Sequence, residues 1–103
     1  MFFFTYRKNY IKRKRELISL LKAGKIRNLK CKYYFPLSDK YINENNIQVY
    51  PKTVMIDFVY EKKTEPDTYG YIYWLTYGEI VKPRKISTVK IVLLEKKFNL
   101  KII

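Results

Sequence analysis

The chain has 103 residues, of which 48% are hydrophobic and only three are glycine, so we expect one globular domain (residues 1–103) and not a disordered segment. Its formal net charge is +13, its single cysteine excludes an internal disulfide, and the absence of histidine excludes histidine-based zinc sites, catalytic triads and general bases. The longest aliphatic run, Ile91–Leu94, is too short to cross a membrane, and these features together predict a soluble, intracellular, non-enzymatic protein without metal or cofactor.

The charge is unevenly distributed along the chain. Residues 1–32 contain eleven Lys or Arg and one acid, residues 33–80 contain four bases and seven acids, and residues 81–103 contain seven bases and one acid. A/T-rich codon usage would enrich lysine, but it would enrich glutamate as well, and the whole chain has only nine acids. The imbalance therefore indicates a functional basic surface, whose field attracts polyanions.

The segment TYRKNYIKRKRELISLLKAG predicts a helix over residues 5–24, with Thr5 as its N-cap and Gly24 just beyond its last turn. Apolar residues at the helical period define one face, and bases take the other: Tyr6, Tyr10, Leu17, Leu20 and Leu21 against Lys8, Lys12, Arg15 and Lys22. Bases interrupt the apolar face in the first half of the helix. We therefore expect docking through the C-terminal turns, with exposed and charged N-terminal turns.

After Gly24 the pattern changes to the alternation that is typical of a half-buried strand. Its predicted core face comprises Leu29, Cys31, Tyr33 and Phe35, with Cys31 as a small buried residue. Residues 37–46 predict a polar connection with room for a short helical turn, and residues 47–50 are extended. In residues 53–60 the alternation places Val54, Ile56, Phe58 and Tyr60 on one face, and Met55, Asp57 and Val59 on the other.

Residues 61–68 predict a charged loop, and the segment TYGYIYWLTYG (residues 68–78) predicts a strand with Ile72 and Trp74 toward the core. Residues 85–95 are rich in β-branched side chains and favour a strand, although their length also permits a helix. Residues 97–103 predict an edge strand. Because no long crossover connection is evident, we expect an α+β fold: one N-terminal basic helix (residues 5–24) with a mainly antiparallel sheet of four to six strands (residues 26–103).

The tyrosine-rich strand raises the question of base stacking. Tyr69, Tyr71 and Tyr73 share one face of the predicted strand, and rings at that spacing can stack on unpaired bases. Tyrosines also fill cross-strand pairs on ordinary sheet faces, and this strand lies in the acidic third of the chain. We favour the packing role and keep base stacking as the alternative.

The run RKNYIKRKR carries six bases in nine residues, and like charges one helical turn apart repel each other. Phosphate contacts would offset this cost and would give affinity that depends on salt but not on sequence. We therefore predict non-sequence-specific nucleic-acid binding, with DNA favoured over RNA. The predicted contacts are Arg7, Lys8, Lys12, Arg13, Lys14 and Arg15, extended by Lys25, Arg27, Lys30 and Lys32.

Two other partners fit the same residues. A protein-interaction or virion-associated module would use the basic and acidic thirds as opposite faces, without nucleic acid. A basic helix can also lie on an anionic membrane surface, with Phe2, Phe3 and Phe4 as an inserted wedge, although we favour this less. A homodimer through an edge strand of the sheet is compatible with either.

A metal-dependent nuclease needs an acid and a lysine two residues apart on a strand, so that both side chains reach one metal. Glu79 and Lys82 are three residues apart and fail this test, whereas Glu95 and Lys97 have the correct spacing, with Asp57 as a distant acid. Such short matches arise by chance in a lysine-rich chain. The sequence therefore does not favour catalysis.

Four features give the chain a compositional resemblance: the segments MFFFTYRKNYIKRKRE and TYGYIYWLTYG, the absence of histidine, and the single glutamine, Gln48. In these it resembles the small proteins encoded by viruses of hyperthermophilic archaea. The resemblance covers the whole chain but contains no motif. It implies a role in DNA handling, in the virion or in host interaction, and it transfers no functional residue.

Overall fold

The computed structural model describes residues 2–37, 41–42, 45–46, 48–49 and 52–103, and within these it places two helices and six strands. In chain order they are α1 (Phe2–Lys22), β1 (Ile26–Pro36), β2 (Tyr41–Ile42), β3 (Gln48–Val49), β4 (Thr53–Lys63), β5 (Trp74–Glu79), α2 (Thr88–Phe98) and β6 (Leu100–Ile102). Strands β1, β4, β5 and β6 form one sheet in that order, and β2 pairs with β3. The α+β class and the N-terminal helix are confirmed, but the sheet is mixed.

Helix α1 ends where the sequence predicts and begins earlier. Gly24 adopts a φ of +72°, its N–H donates to the Leu21 carbonyl at 3.1 Å, and the Lys25 N–H donates to the Leu20 carbonyl at 3.0 Å. These two bonds form a Schellman motif, which needs a left-handed residue and thus favours glycine. The helix already includes Phe2, so Thr5 is an interior residue and its predicted N-cap role is wrong.

Strand β4 lies in the centre of the sheet and is buried on both faces. Val59 packs in one core cluster with Leu94 of α2, whereas Phe58 and Tyr60 pack in a second cluster with Leu17 of α1. Because neighbouring residues of a strand point to opposite faces, α1 and α2 cover opposite faces of the sheet. The domain therefore has three layers, with β4 between the helices.

The regular alternation predicted for β1 and β4 is interrupted in the middle of both strands. Lys32 adopts a φ of +50°, and beyond it Phe35 lies in the cluster beneath α2, whereas Leu29 lies in the cluster beneath α1. The same change of face occurs in β4, where Ile56 belongs to the α2 side and Phe58 to the α1 side. A single face for residues 29–35 is therefore wrong, and Cys31 is exposed instead of buried.

Residues 88–98 form helix α2, so the strand predicted for residues 85–95 is wrong. The Ser87 hydroxyl accepts from the Lys90 N–H at the N-terminus, and Asn99 ends the helix in a left-handed conformation. Leu94 and Phe98, one turn apart, pack against the sheet. Because α2 connects β5 to β6, it is the crossover that makes this pair of strands parallel.

The tyrosine-rich segment is a strand only in its second half. Residues 64–73 form the loop of the β4–β5 hairpin, and Asp67 organises its tip by accepting from the N–H groups of Tyr69 and Tyr71 at 2.8 and 3.0 Å. Ile72 is exposed and Trp74 is half-buried, so the core position predicted for both is wrong. Residues 65–73 are all exposed.

The connection between β1 and β4 is described only in part. Its short strands β2 and β3 are antiparallel, which agrees with the extended conformation predicted around Gln48. The rest of the polar connection predicted for residues 37–46 lies largely outside the described residues.

Candidate nucleic-acid interface

Helix α1 is attached to the sheet along most of its length, including the N-terminal turns that the sequence predicts to be free. The Tyr6 hydroxyl donates to a carboxylate oxygen of Asp57, and the Tyr10 ring stacks on Phe58 with ring centroids 4.8 Å apart. The Asn9 amide donates to the Lys82 carbonyl at 3.0 Å. Burial and the hydrogen bond to Asp57 raise the pKa of Tyr6 well above its ordinary value. The docking of this half combines ring packing with hydrogen bonds, and an apolar pattern alone cannot reveal the hydrogen bonds.

Arg13 is the clearest departure from the predicted site. Its guanidinium donates from Nε and Nη2 to the two Glu79 oxygens, each at 2.7 Å, and from Nη1 to Glu16 at 2.8 Å. Tyr60 also donates to Glu79. Burial raises the pKa of Glu79, but the hydrogen bonds from Arg13 and Tyr60 outweigh this, so the pKa lies below its ordinary value of 4.5. Arg13 thus fastens α1 to β5 and has no free donor fork for a phosphate.

Asp57 is fully buried, and its oxygens are occupied by three donors. The Val81 N–H and Arg84 Nη1 each lie 2.9 Å from Oδ2, and Tyr6 donates to Oδ1. Arg84 also donates to the Met55 carbonyl. These bonds replace backbone pairing in the part of β4 that precedes Phe58, where β4 does not pair with β5. Asp57 therefore has a structural role, and the sheet separates it from Glu95 of α2, so the two acids considered for a nuclease site do not come together.

The remaining predicted contacts of α1 are brought together on its solvent side. This set, here called the α1 cation surface, comprises Arg7, Lys8, Lys12, Lys14 and Arg15, all of them exposed. None of these five side chains forms an ion pair with any residue that the structure describes. From Arg7 to Arg15 the surface extends about 12 Å along the helix axis. An equal length of duplex DNA carries about seven phosphate charges.

The predicted extension of this patch into β1 is divided between the two faces of the sheet. Lys25 is exposed beyond the end of α1, and the Lys32 ammonium lies 5.0 Å from the ring centroid of Tyr10 on the α1 side. Arg27 instead bonds Glu61 at 2.7 Å and lies 4.1 Å from the ring centroid of Trp74, and Lys30 lies 4.7 Å from that of Tyr33. Arg27 and Lys30 thus belong to a different surface, together with Tyr33 and Trp74, which the sequence predicts to be core residues.

The three tyrosines considered for base stacking are exposed on the hairpin loop. The exposed fractions are 85% for Tyr69, 62% for Tyr71 and 53% for Tyr73. The Tyr73 hydroxyl donates to Asp67 at 3.4 Å, which ties its ring to the loop. The packing role favoured from the sequence is therefore wrong for these three rings. Their ring faces lie in solvent, and base stacking stays a prediction for them.

Other classes of site were sought in the described part of the chain. No group of three or more carboxylate or thiol side chains there lies close enough together to hold a metal ion. Within residues 2–37, 41–42, 45–46, 48–49 and 52–103, no helix combines the length and hydrophobicity of a membrane-spanning segment. Phe4 of the predicted membrane wedge is exposed, and the side chains of Phe2 and Phe3 lie outside the described residues.

Comparisons with known protein families, with curated proteins and with solved structures found no match to this chain.

Proposed function

We propose that the protein binds duplex nucleic acid, with DNA favoured over RNA, through phosphate contacts of the α1 cation surface. The observation that carries this proposal is the set of five exposed cations without an acidic partner among the described residues. Like charges so close together raise the free energy of the isolated helix, and phosphates relieve this repulsion while releasing counterions. Binding of this kind is independent of base sequence, because the contacts reach the backbone of the duplex.

The test is fluorescence anisotropy with labelled DNA duplexes of two unrelated sequences. Replacing Lys12, Lys14 and Arg15 together by glutamine should weaken binding to both duplexes by about tenfold at low salt. The slope of log affinity against log salt should fall by about 2 to 3, because three phosphate contacts are lost. Glutamine is chosen because its helix propensity is close to that of lysine and arginine.

The matched control replaces Lys85, Lys90 and Lys96 by glutamine. It makes the same change in net charge on exposed residues in and before α2, on the opposite face of the sheet. We expect this variant to keep nearly the wild-type salt slope. Equal losses in the two triple variants would show that net charge alone drives binding, and an unchanged slope in the α1 variant would refute the proposed site.

A second candidate function is protein interaction without nucleic acid. Its support is the outer side of α2, where Val89, Val92 and Leu93 are all exposed. Exposed aliphatic residues on one helix face are typical of a surface that another protein covers. A complex that survives nuclease treatment and is lost when Val89 and Leu93 become serine would favour this candidate over the first.

A further inference from the structure

Helix α2 covers only part of its face of the sheet. Between β1 and the C-terminal end of α2 an open groove of about 470 Å³ remains, here called the sheet groove. Its lining includes Lys30 and Tyr33 of β1, Val59 of β4, Thr76 of β5, Phe98 and Leu100. A volume of this size is within the range of about 300–1,000 Å³ that is typical of small-ligand sites.

The interior of the sheet groove combines apolar and aromatic surface. Val59 and Leu100 belong to the buried core beneath it, and Phe98 packs on Phe35 with ring centroids 4.8 Å apart. The Tyr33 ring is 39% exposed, so part of it is free to contact a ligand. Flat apolar surface of this kind suits a planar heteroaromatic ring.

Cations surround this surface. The Lys30 ammonium lies over the Tyr33 ring, 4.7 Å from its centroid. Further along the groove, the centroid of the Trp74 ring lies 4.1 Å from the Arg27 guanidinium and 5.2 Å from the Lys63 ammonium. Trp74 belongs to β5, as does Thr76 of the groove lining. Trp74 and Thr76 are two residues apart on β5 and therefore point to the same face of the sheet. Three cations near two aromatic rings provide the donors that a phosphate chain requires.

The one carboxylate in the groove is already neutralised. Glu61 accepts from the Asn28 amide at 2.8 Å and from Arg27 Nε at 2.7 Å. These hydrogen bonds, from Asn28 and then Arg27, lower the pKa of Glu61 below its ordinary value. Its charge is therefore compensated within the protein. Three cations lie around the groove, against this single carboxylate.

We propose that the sheet groove binds an unpaired base of single-stranded nucleic acid, with the base against Tyr33 and the flanking phosphates near Arg27, Lys30 and Lys63. This inference goes beyond the proposed function, because the groove and the α1 cation surface are separate sites on opposite faces of the sheet. A base in a duplex is stacked and paired, so only an unpaired base can enter. Free nucleotides share the same chemistry, and the experiment separates the two sources.

The experiment follows the fluorescence of Trp74, which is the only tryptophan of the chain and lies beside the groove. The full-length protein is titrated with an oligo-dT strand of about 12 nucleotides, with a duplex of equal length and with the mononucleotide dTMP. We expect saturable quenching by the strand at concentrations at least about tenfold below those needed for dTMP. Equal affinity for dTMP would overturn the strand assignment, and absence of quenching by the strand would overturn the site.

A matched pair of tyrosines supplies the variants. Tyr33→Leu removes the ring from the groove, whereas Tyr34→Leu changes the next residue, which is 61% exposed and does not line the groove. We expect Tyr33→Leu to weaken strand binding by about tenfold and Tyr34→Leu to change it by less than about twofold. Equal losses in both variants, with unchanged thermal unfolding, would overturn the proposal.

A second pair keeps the test independent of core packing. Lys30→Gln should reduce the salt slope of strand binding by about 1, and Lys25→Gln, at an exposed residue outside the groove, should leave it unchanged.

The triple α1 variant should lose duplex affinity but keep the quenching of Trp74 by oligo-dT. If that variant instead keeps duplex affinity while Tyr33→Leu loses strand affinity, the α1 proposal fails and the groove stands. The reverse result refutes the groove alone.

Discussion

Two arginines of the basic N-terminal region form ion pairs that connect elements of the fold. Arg13 spans from α1 to Glu79 in the third strand of the main sheet, and Arg27 spans from β1 to Glu61 and Trp74. In each case a forked guanidinium is held by a carboxylate, which lysine could not match in geometry. The other cations of α1, which include Arg7 and Arg15, have no such carboxylate among the described residues, and they are therefore the free charges.

The Arg13–Glu79 pair predicts how stability depends on pH. The Glu79 side chain is 14% exposed, and its pKa in the folded protein lies below the ordinary value of 4.5. The folded state therefore binds fewer protons at this site than the unfolded state. The stabilisation is complete above about pH 4.5 and is lost as the pH falls through the folded-state pKa.

Glu79→Gln should lower the free energy of unfolding by about 2 kcal/mol at neutral pH, because the partly buried Arg13 keeps its charge without its main partner. The difference from wild type should shrink steadily below about pH 4.5, as measured by urea unfolding at several pH values. Glu16→Gln is the matched control. Glu16 bonds the same arginine from a side chain that is 48% exposed, and its loss should cost less than about 0.5 kcal/mol. A gap between wild type and Glu79→Gln that does not change with pH would contradict this account.

At the scale of elements, the close approach of β5 and β6 depends on Gly78. A Cβ placed there would lie 2.8 Å from Ile102 Cδ1 and 3.1 Å from Ile56 Cγ2. These distances are shorter than ordinary carbon contacts, so the Ile102 and Ile56 side chains would have to shift to admit a methyl group at this position. The two TYG tripeptides, at residues 68–70 and 76–78, therefore need glycine for different reasons. Gly70 is a turn residue with a φ of +82°, whereas Gly78 is a residue where a side chain would crowd its neighbours.

Gly78→Ala should destabilise the protein by about 1–3 kcal/mol through overpacking. Ile102→Val removes the Cδ1 atom that causes the shortest contact, so the cost of Gly78→Ala should be clearly smaller in that background. Urea unfolding of the four proteins in this double-mutant cycle measures the coupling. Additive effects of the two substitutions would show that the contact with Ile102 Cδ1 does not cause the loss of stability.

Helix α2 shows why an element was predicted as the wrong type. Residues 86–92 include Ile86, Val89, Ile91 and Val92, and β-branched residues favour strands. The helix forms nevertheless, because Ser87 and Asn99 cap its ends and the residues one turn apart meet the sheet. Packing of an amphipathic face outweighs a difference in propensity of a few tenths of a kcal/mol per residue.

At the scale of the whole molecule, the domain exposes much surface for its size. Its accessible surface is 8169 Å², whereas a compact protein of 12.6 kDa is expected to expose about 6,200 Å². The radius of gyration of 16.7 Å likewise exceeds the expected value of about 13 Å. A thin core between two helices therefore supports two broad surfaces, each of which is available to a partner.

The net charge of +13 predicts that the exposed cations of α1 reduce the stability of the free protein. The variant with Lys12, Lys14 and Arg15 changed to glutamine should be more stable than wild type by about 0.5–1 kcal/mol at low salt, because like-charge repulsion within α1 is relieved. The gain should vanish at about 1 M salt, where the screening length is about 3 Å. Urea unfolding at both salt concentrations measures it. A loss of stability would mean that these three residues stabilise the fold, which would contradict their exposed positions without ion pairs to any described residue.

The sequence by itself determined the features that depend on local patterns. These are the α+β class, the helix that ends at Gly24, the strand over residues 53–60, and the concentration of bases in residues 1–32. The structure extends that strand to Lys63, into the predicted loop. Each follows from residue spacing or from the conformational preference of one residue, so no knowledge of distant contacts is required. The candidate α1 cation surface could be predicted from the same information, apart from Arg13.

Only the tertiary structure decided which charges are free and which rings are exposed. Arg13 is bound by a glutamate 66 residues away, and the pairing of β1 with β4 places Arg27 and Lys30 on the opposite face from α1. The left-handed backbone at Lys32 changes the face of the strand, which alternation alone cannot reveal. The sheet groove arises in the same way, because its walls come from β1, β4, β5 and α2, and their meeting depends on strand register and helix packing instead of sequence distance.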